Sequence, residues 1–186
     1  MGFPTSGECN IAPELPPNGE PEVYRFDPAG LPLSEIGILV KFVPDAGAHW
    51  FGAFGKGAGA AKGQHGGLCG IFGCPDPNSV LVICSGAAFH VTLNNPNQTT
   101  ELPISPVTEI ARAPGRDLLL LTDFTHAYGF GAGGIVWQSE RLSHDGLRML
   151  EVGNDTALLE IWVPWLNGTS TCEIDLRSGH KLPARD

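Results

Sequence analysis

The stretch "TDFTHAYG", Thr122 to Gly129, places a carboxylate, a histidine and a phenol close together. If the chain ran on as a strand, His126 and Tyr128 would share one face and Asp123 would take the other. A turn at Phe124-Thr125 would instead bring Asp123 and His126 together. A histidine oriented by a carboxylate is the working half of a general-base pair. Asp123 and His126 are therefore the catalytic candidates, and Tyr128 is a ligand-binding candidate. The nucleophile would have to come from elsewhere, for example Ser85 or Ser139. Neither lies in a G-x-S-x-G elbow. The ordinary alternative is a strand-end histidine hydrogen-bonded to Asp or backbone.

A second chemistry-bearing stretch is "WFGAFGKGAGAAKGQHGGLCGIFGC", Trp50 to Cys74. It fails the P-loop pattern, because no Ser or Thr follows Lys56. It fails G-x-G-x-x-G as well, because Lys62 stands where the third glycine should be. Its many backbone N–H groups, with Lys56 and Lys62 as ligand-binding candidates, suit an anion. The plain alternative is a solvated surface connector. Cys69 and Cys74 have C-x-x-x-x-C spacing, wider than a zinc knuckle, and no C-x-x-C exists. His65, Cys69, Cys74 and Cys84 form a set that zinc would need to gather. The competing reading is ordinary packed thiols. No metal and no cofactor is expected.

Four more histidines, His49, His90, His144 and His180, are scattered along the chain, without an H-x-H cluster. Trp162 and Trp165 flank Pro164 in "EIWVPWLNG". With Leu159, Ile161 and Val163 facing a core, Trp162 faces outward. There it would lie under a second layer, cover the N-terminal arm or anchor a partner, which makes it a further ligand-binding candidate.

The positioning elements are strands. "IGILVKFV" puts Ile36, Ile38, Val40 and Phe42 on one face. "HWFGAF" is placed to pair back against it. "VLVIC" is apolar throughout, as a strand covered on both faces would be. "AAFHVTL" alternates, with Phe89, Val91 and Leu93 on one side. "PVTEIARA" reads as extended. "LLLLTDF" is too short and too poorly capped for a helix and reads as a strand. "GIVWQSE", "LRMLEV", "ALLEIWV" and "TCEIDL" follow, separated by the turn-like "HDG", "GND" and "NGTS". "VLVICSGAAFHV" and "LLLLTDFTHAYG" share a faint pattern of apolar strand, polar break, aromatic and histidine. Two related β-hairpin units would produce it.

The expected fold is therefore mainly β, an antiparallel β-sandwich or rolled β-barrel. Residues 1–34 contain "APELPPNGEPE", which suits neither a helix interior nor a central strand. They are read as an irregular Pro/Gly-rich arm, in which "VYRFD" would add a short edge strand. Residues 35–186 are read as a single β-rich domain.

Net charge is −9, from 20 acidic and 11 basic residues. That disfavours a broad grip on nucleic acid or on anionic membrane, since both need a positive field. It suits a basic protein partner. The start "MGFPTSGECN" has no basic region followed by an apolar one, and no apolar run is long enough to span a bilayer. The odd count of five cysteines favours a reducing, cytoplasmic setting. Nothing in the sequence reports the oligomeric state.

Three functional readings follow. The first is a noncatalytic β-domain that binds a protein partner or small ligand. The second is a small hydrolase, with His126 and Asp123 as base pair and the glycine-rich loop holding an anion. The third is a metal-binding β-barrel protein.

Overall fold

The computed structural model describes residues 2–17, 21–27, 30, 32, 36–56 and 68–183. The stretch from 57 to 67, with Lys62 and His65, lies outside them. The protein is mainly β and divides into two compact units, Phe3–Pro106 and Val107–Asp186.

The N-terminal unit holds β1 (Gly7–Ile11), β2 (Val23–Phe26), β3 (Ile38–Pro44), β4 (Trp50–Phe54), β5 (Gly70–Gly73), β6 (Ser79–Cys84), β7 (Ala87–Thr92) and β8 (Thr100–Glu101). They form two sheets, ordered β1-β3-β4-β2 and β5-β6-β7-β8. All pairings are antiparallel except β2 with β4. Alternation decides which side chains turn inward. Val40 and Phe42 from β3, with Trp50 and Phe54 from β4, meet Val80, Val82, Phe89 and Val91 from the other sheet in one buried cluster. Burial on this scale is the dominant favourable term for such a sandwich. Every residue of β6 is buried, as its unbroken apolar run requires. The Pro/Gly-rich segment before position 35 supplies both edges of the first sheet, with "VYRF" on one and the polar "GECNI" on the other.

The β6–β7 hairpin closes through Ser85 and Gly86, both left-handed, at φ of 49° and 83°. A two-residue turn with both central residues at positive φ matches the twist of its strands. Glycine takes that conformation freely, whereas Ser85 does so at a steric cost.

The C-terminal unit holds β9 (Glu109–Arg112), β10 (Leu119–Thr122), β11 (Ala127–Gly131), β12 (Gly134–Gln138), β13 (Leu147–Val152), β14 (Thr156–Val163) and β15 (Gly168–Asp175). β9 to β12 form one antiparallel meander and β13 to β15 another. Leu118, Leu120 and Ala127 pack with Leu147, Leu159, Ile161, Val163 and Ile174 in a shared core. Each unit is thus sandwich-like, and among the described residues no sheet closes into a barrel. β14 alternates strictly, with Leu159, Ile161 and Val163 buried and Trp162 half-buried on the other face. The two stretches of similar pattern are both hairpins, β6–β7 and β10–β11. Each is the central pair of a four-stranded antiparallel sheet.

Trp137 of β12 is held between two glycines. A Cβ on Gly129 would stand 2.3 Å from its indole, and one on Gly179 would stand 2.4 Å away. The indole N–H donates to the Leu176 carbonyl at 3.0 Å. The ring therefore ties the turn after β15 to the β11–β12 pair. Gly129→Ala forces the ring out of this slot and is expected to cost about 1–3 kcal/mol, the usual range for overpacking. Urea denaturation of the variant checks this. Gly133→Ala is the control, because its added methyl meets nothing within 4 Å.

Candidate functional site

β10 ends at Thr122, and the chain reverses over Asp123 to His126 before β11 begins. The reversal is a side-chain-built turn. Asp123 Oδ1 accepts the backbone N–H groups of Thr125 and His126, each at 2.6 Å, and the Thr125 hydroxyl at 3.0 Å. Its Oδ2 accepts the Tyr128 hydroxyl at 2.7 Å. Asp favours such turns because its short side chain reaches the N–H groups two and three residues on. The turn is anchored on its outer side as well. The Thr125 carbonyl accepts the N–H groups of Leu142 and Ser143. On β9's side, the Thr108 hydroxyl bonds the Thr122 carbonyl at 3.1 Å.

The turn brings Asp123, His126 and Tyr128 together. His126 Nδ1 stands 3.7 Å from Asp123 Oδ2, beyond a direct hydrogen bond. It stands 2.7 Å from the Thr125 hydroxyl. The Thr125 hydroxyl thus stands between the Asp123 carboxylate and His126 Nδ1. In the tautomer where it donates to Asp123 it accepts from Nδ1–H, and Nε2 is then the ring's acceptor. Thr125 is the member that sequence reasoning missed, although the Asp-x-Thr spacing is itself an Asx-turn signal.

The electrostatics follow the same bonds. Burial alone would raise the Asp123 carboxyl, but the hydrogen bonds from Tyr128, His126 and Thr125 outweigh it and hold the group below its ordinary value. Burial, and then the bond to that carboxylate, push the Tyr128 phenol up. Tyr128 is buried, with its hydroxyl committed to Asp123.

Among the described residues, the two serines bonded around the turn are both committed. The Ser139 hydroxyl is buried, accepts the Ala127 N–H at 2.9 Å and donates to the Glu140 carbonyl at 2.7 Å. Ser143 accepts the Trp162 N–H and donates to the Gly146 carbonyl. Ser85 belongs to the N-terminal unit.

Of the ligand-binding candidates, Lys56 is exposed in the N-terminal unit, while Tyr128 and Trp162 lie in the C-terminal unit. Lys62 falls outside the described residues. The Trp162 N–H donates to the Ser143 hydroxyl, and the Ser143 N–H donates to the Thr125 carbonyl of the turn. Beyond it the chain makes a short 3-10 turn, Pro164–Leu166, between β14 and β15. There Trp165 is 77% exposed and Leu166 60% exposed. His144 packs edge-on against Trp165, at 5.8 Å between ring centres.

Among the cysteines, Cys69 is exposed and Cys74 fully buried. Five residues apart on an extended chain, they point to opposite faces. No group of three or more His, Cys, Asp or Glu gathers around a common point among the described residues. In the N-terminal unit, two shallow hollows of about 260 and 340 Å³ run along Ile11 to Leu15. No helix among the described residues is long and apolar enough to cross a membrane.

The class that these features define is a mainly β protein of two sandwich-like units, with one tightly bonded Asp–Thr–His turn. The chain matches no family model, no curated protein and no solved structure.

Proposed function

We propose that the protein is a noncatalytic β-domain protein of the cytoplasm that binds a protein partner through the β14–β15 turn. The observation that carries this reading is the exposed pair Trp165 and Leu166. Two large apolar side chains on a turn gain nothing in water, and tryptophan is the side chain most often found at the energetic centre of an interface. The surplus of 20 acidic over 11 basic residues supports a partner of positive charge. It also argues against nucleic acid and anionic membrane. The turn at Asp123 is consistent with this reading, since its carboxylate is occupied in holding the backbone.

The test is photocrosslinking in cells, with a benzophenone amino acid replacing Trp165. The expected result is one discrete protein adduct. Excess unmodified protein should suppress it, and Trp165→Ser/Leu166→Ser should not. Added salt should weaken it. An adduct that the double variant suppresses equally well, or no adduct at all, sinks the proposal. Circular dichroism of the double variant confirms that it is folded.

The hydrolase reading retains one specific support, the Thr125 hydroxyl bridging Asp123 and His126, which orients the imidazole. It needs a substrate that brings water or a hydroxyl to the His126 ring, because the Ser139 hydroxyl is committed to the Ala127 N–H and the Glu140 carbonyl.

A further inference from the structure

The β5–β6 hairpin sets two cysteines against each other. The ladder pairs Gly70 with Ile83, Ile71 with Val82, Phe72 with Leu81 and Gly73 with Val80. One step further along the same register puts Cys69 opposite Cys84. At the other end, the Cys74 N–H donates to the Ser79 carbonyl, so that pair is hydrogen-bonded. Antiparallel pairs alternate, so a ladder continued past Gly70 makes Cys69 and Cys84 a non-hydrogen-bonded pair; beyond it the Gly86 N–H donates to the Leu68 carbonyl and keeps the two segments side by side. Such pairs hold their Cβ atoms closest, near the separation that a disulfide spans. Both thiols are free.

The two sulfurs differ in ways that suit sequential chemistry. Cys69 is exposed, and its Sγ accepts the Ser85 N–H at 3.0 Å, with the Ser85 hydroxyl at 3.9 Å. Cys84 is buried at the end of β6. Burial first, and then the neighbouring Cys69, push its thiol up to about 11, while Lys56 pulls the other way. Gly37 keeps the space beside Cys84 clear, since a Cβ there would lie 2.1 Å from its Sγ. The remaining cysteines lack these features. Cys9 is half-buried, and Cys74 and Cys172 are buried.

We propose that Cys69 and Cys84 form a thiol–disulfide exchange site whose co-substrate is a low-molecular-weight disulfide such as glutathione disulfide. The Cys69 thiol gives up its proton and the thiolate attacks one sulfur of the small disulfide; the S–S bond breaks, the departing sulfur takes up a proton and leaves as one thiol, and a mixed disulfide remains on Cys69. The Cys84 thiol loses its proton and attacks Cys69 Sγ. The second small thiol leaves and takes up that proton. In sum two protein thiols are oxidised to one disulfide, and the small disulfide is reduced to two thiols. The Ser85 N–H steadies negative charge on Cys69 Sγ when it is the attacking thiolate. A reducing thiol in excess reverses the sequence.

The test incubates the reduced full-length protein with glutathione disulfide, followed by acid quenching, alkylation and peptide mapping. The expected product joins the Cys69 and Cys84 peptides, carries no glutathione and reverts with dithiothreitol. Alkylation before oxidation should label Cys69 about tenfold faster than any other cysteine, as its exposure requires. Cys84→Ala should stop at glutathionylated Cys69. Should that variant misfold, the map of the unaltered protein decides alone. A wild-type product that stays glutathionylated at Cys69, stays reduced, or links another pair overturns the proposal.

Discussion

Trp50→Ala is expected to destabilise the N-terminal unit by about 4 kcal/mol, within the range for deleting a buried indole. Trp50 is 4% exposed and stacks on Phe42 at 4.1 Å, with Tyr24 and Phe26 edge-on to it. Its indole N–H donates to the Leu93 carbonyl at 2.8 Å. Leu93 follows β7, so this bond joins a strand of one sheet to the end of a strand in the other. Alanine leaves a cavity at the aromatic centre and a buried carbonyl without its donor. Trp50→Phe separates the two effects. It keeps a ring to stack on Phe42 and loses only the donor and part of the volume, for a cost of about 1–2 kcal/mol. Hydrogen exchange with mass spectrometry provides the check. Amide protection in β3, β4 and β7 should fall steeply for the alanine variant and modestly for the phenylalanine one. Equal protection in both would mean that the indole N–H, and not the ring, holds the two sheets together.

The strands were legible because the sandwich buries one face of most of them, and a two-residue period records that burial directly. "ALLEIWV" is the clearest case. Its alternation specified Leu159, Ile161 and Val163 as inward and Trp162 as outward, and β14 has that pattern. "VLVIC" was legible for the opposite reason, since a strand covered on both faces has no polar side to show. "GECNI" was not legible. β1 is an edge strand of intermediate and exposed residues, held by its ladder to β3 and not by an apolar face. Backbone pairing leaves no mark on side-chain composition. The division after Pro106 is equally silent, because "LPISPVT" resembles other loops and the strand spacing runs through it unchanged.

The sites show the same limit. That a turn at Phe124-Thr125 would join Asp123 to His126 follows from local spacing, and the two do lie together. The intervening Thr125 needed hydrogen-bond geometry that spacing alone does not give. Cys69 and Cys84 were both visible as metal-ligand candidates. Their cross-strand opposition depends on register, which the loop between β5 and β6 sets. Trp165 differs again. The residue after Pro164 belongs to a 3-10 turn and not to a strand, so strand periodicity says nothing of its exposure.

Asp123→Ala is the second large effect. The carboxylate holds two backbone N–H groups and two hydroxyls, and its removal leaves the buried Tyr128 hydroxyl without its acceptor. Losing a capping carboxylate and stranding one buried hydroxyl together amount to about 3 kcal/mol. Asp123→Asn retains an acceptor for the backbone N–H groups and should cost about 1 kcal/mol near neutral pH. The pH dependence follows from the direction of the shift. The folded carboxyl titrates below its unfolded value, because its hydrogen bonds outweigh burial. Its contribution is therefore fully present above the unfolded value of about 3.9 and disappears as pH falls through the lower folded value. The stability gap between wild type and Asp123→Asn should hold from neutral pH down to about pH 5 and then narrow toward acid. Urea titrations across that range measure it. A gap that widens in acid would mean that the carboxylate is destabilised by folding, contrary to its hydrogen bonds. The same variant separates the functional readings. A folded Asp123→Asn protein that still yields the Trp165 crosslink, with no ester hydrolysis above background in either form, is the outcome expected of a binding protein whose Asp–Thr–His turn is structural. Hydrolysis by wild type that is lost in both Asp123→Asn and His126→Gln would instead assign the turn to catalysis.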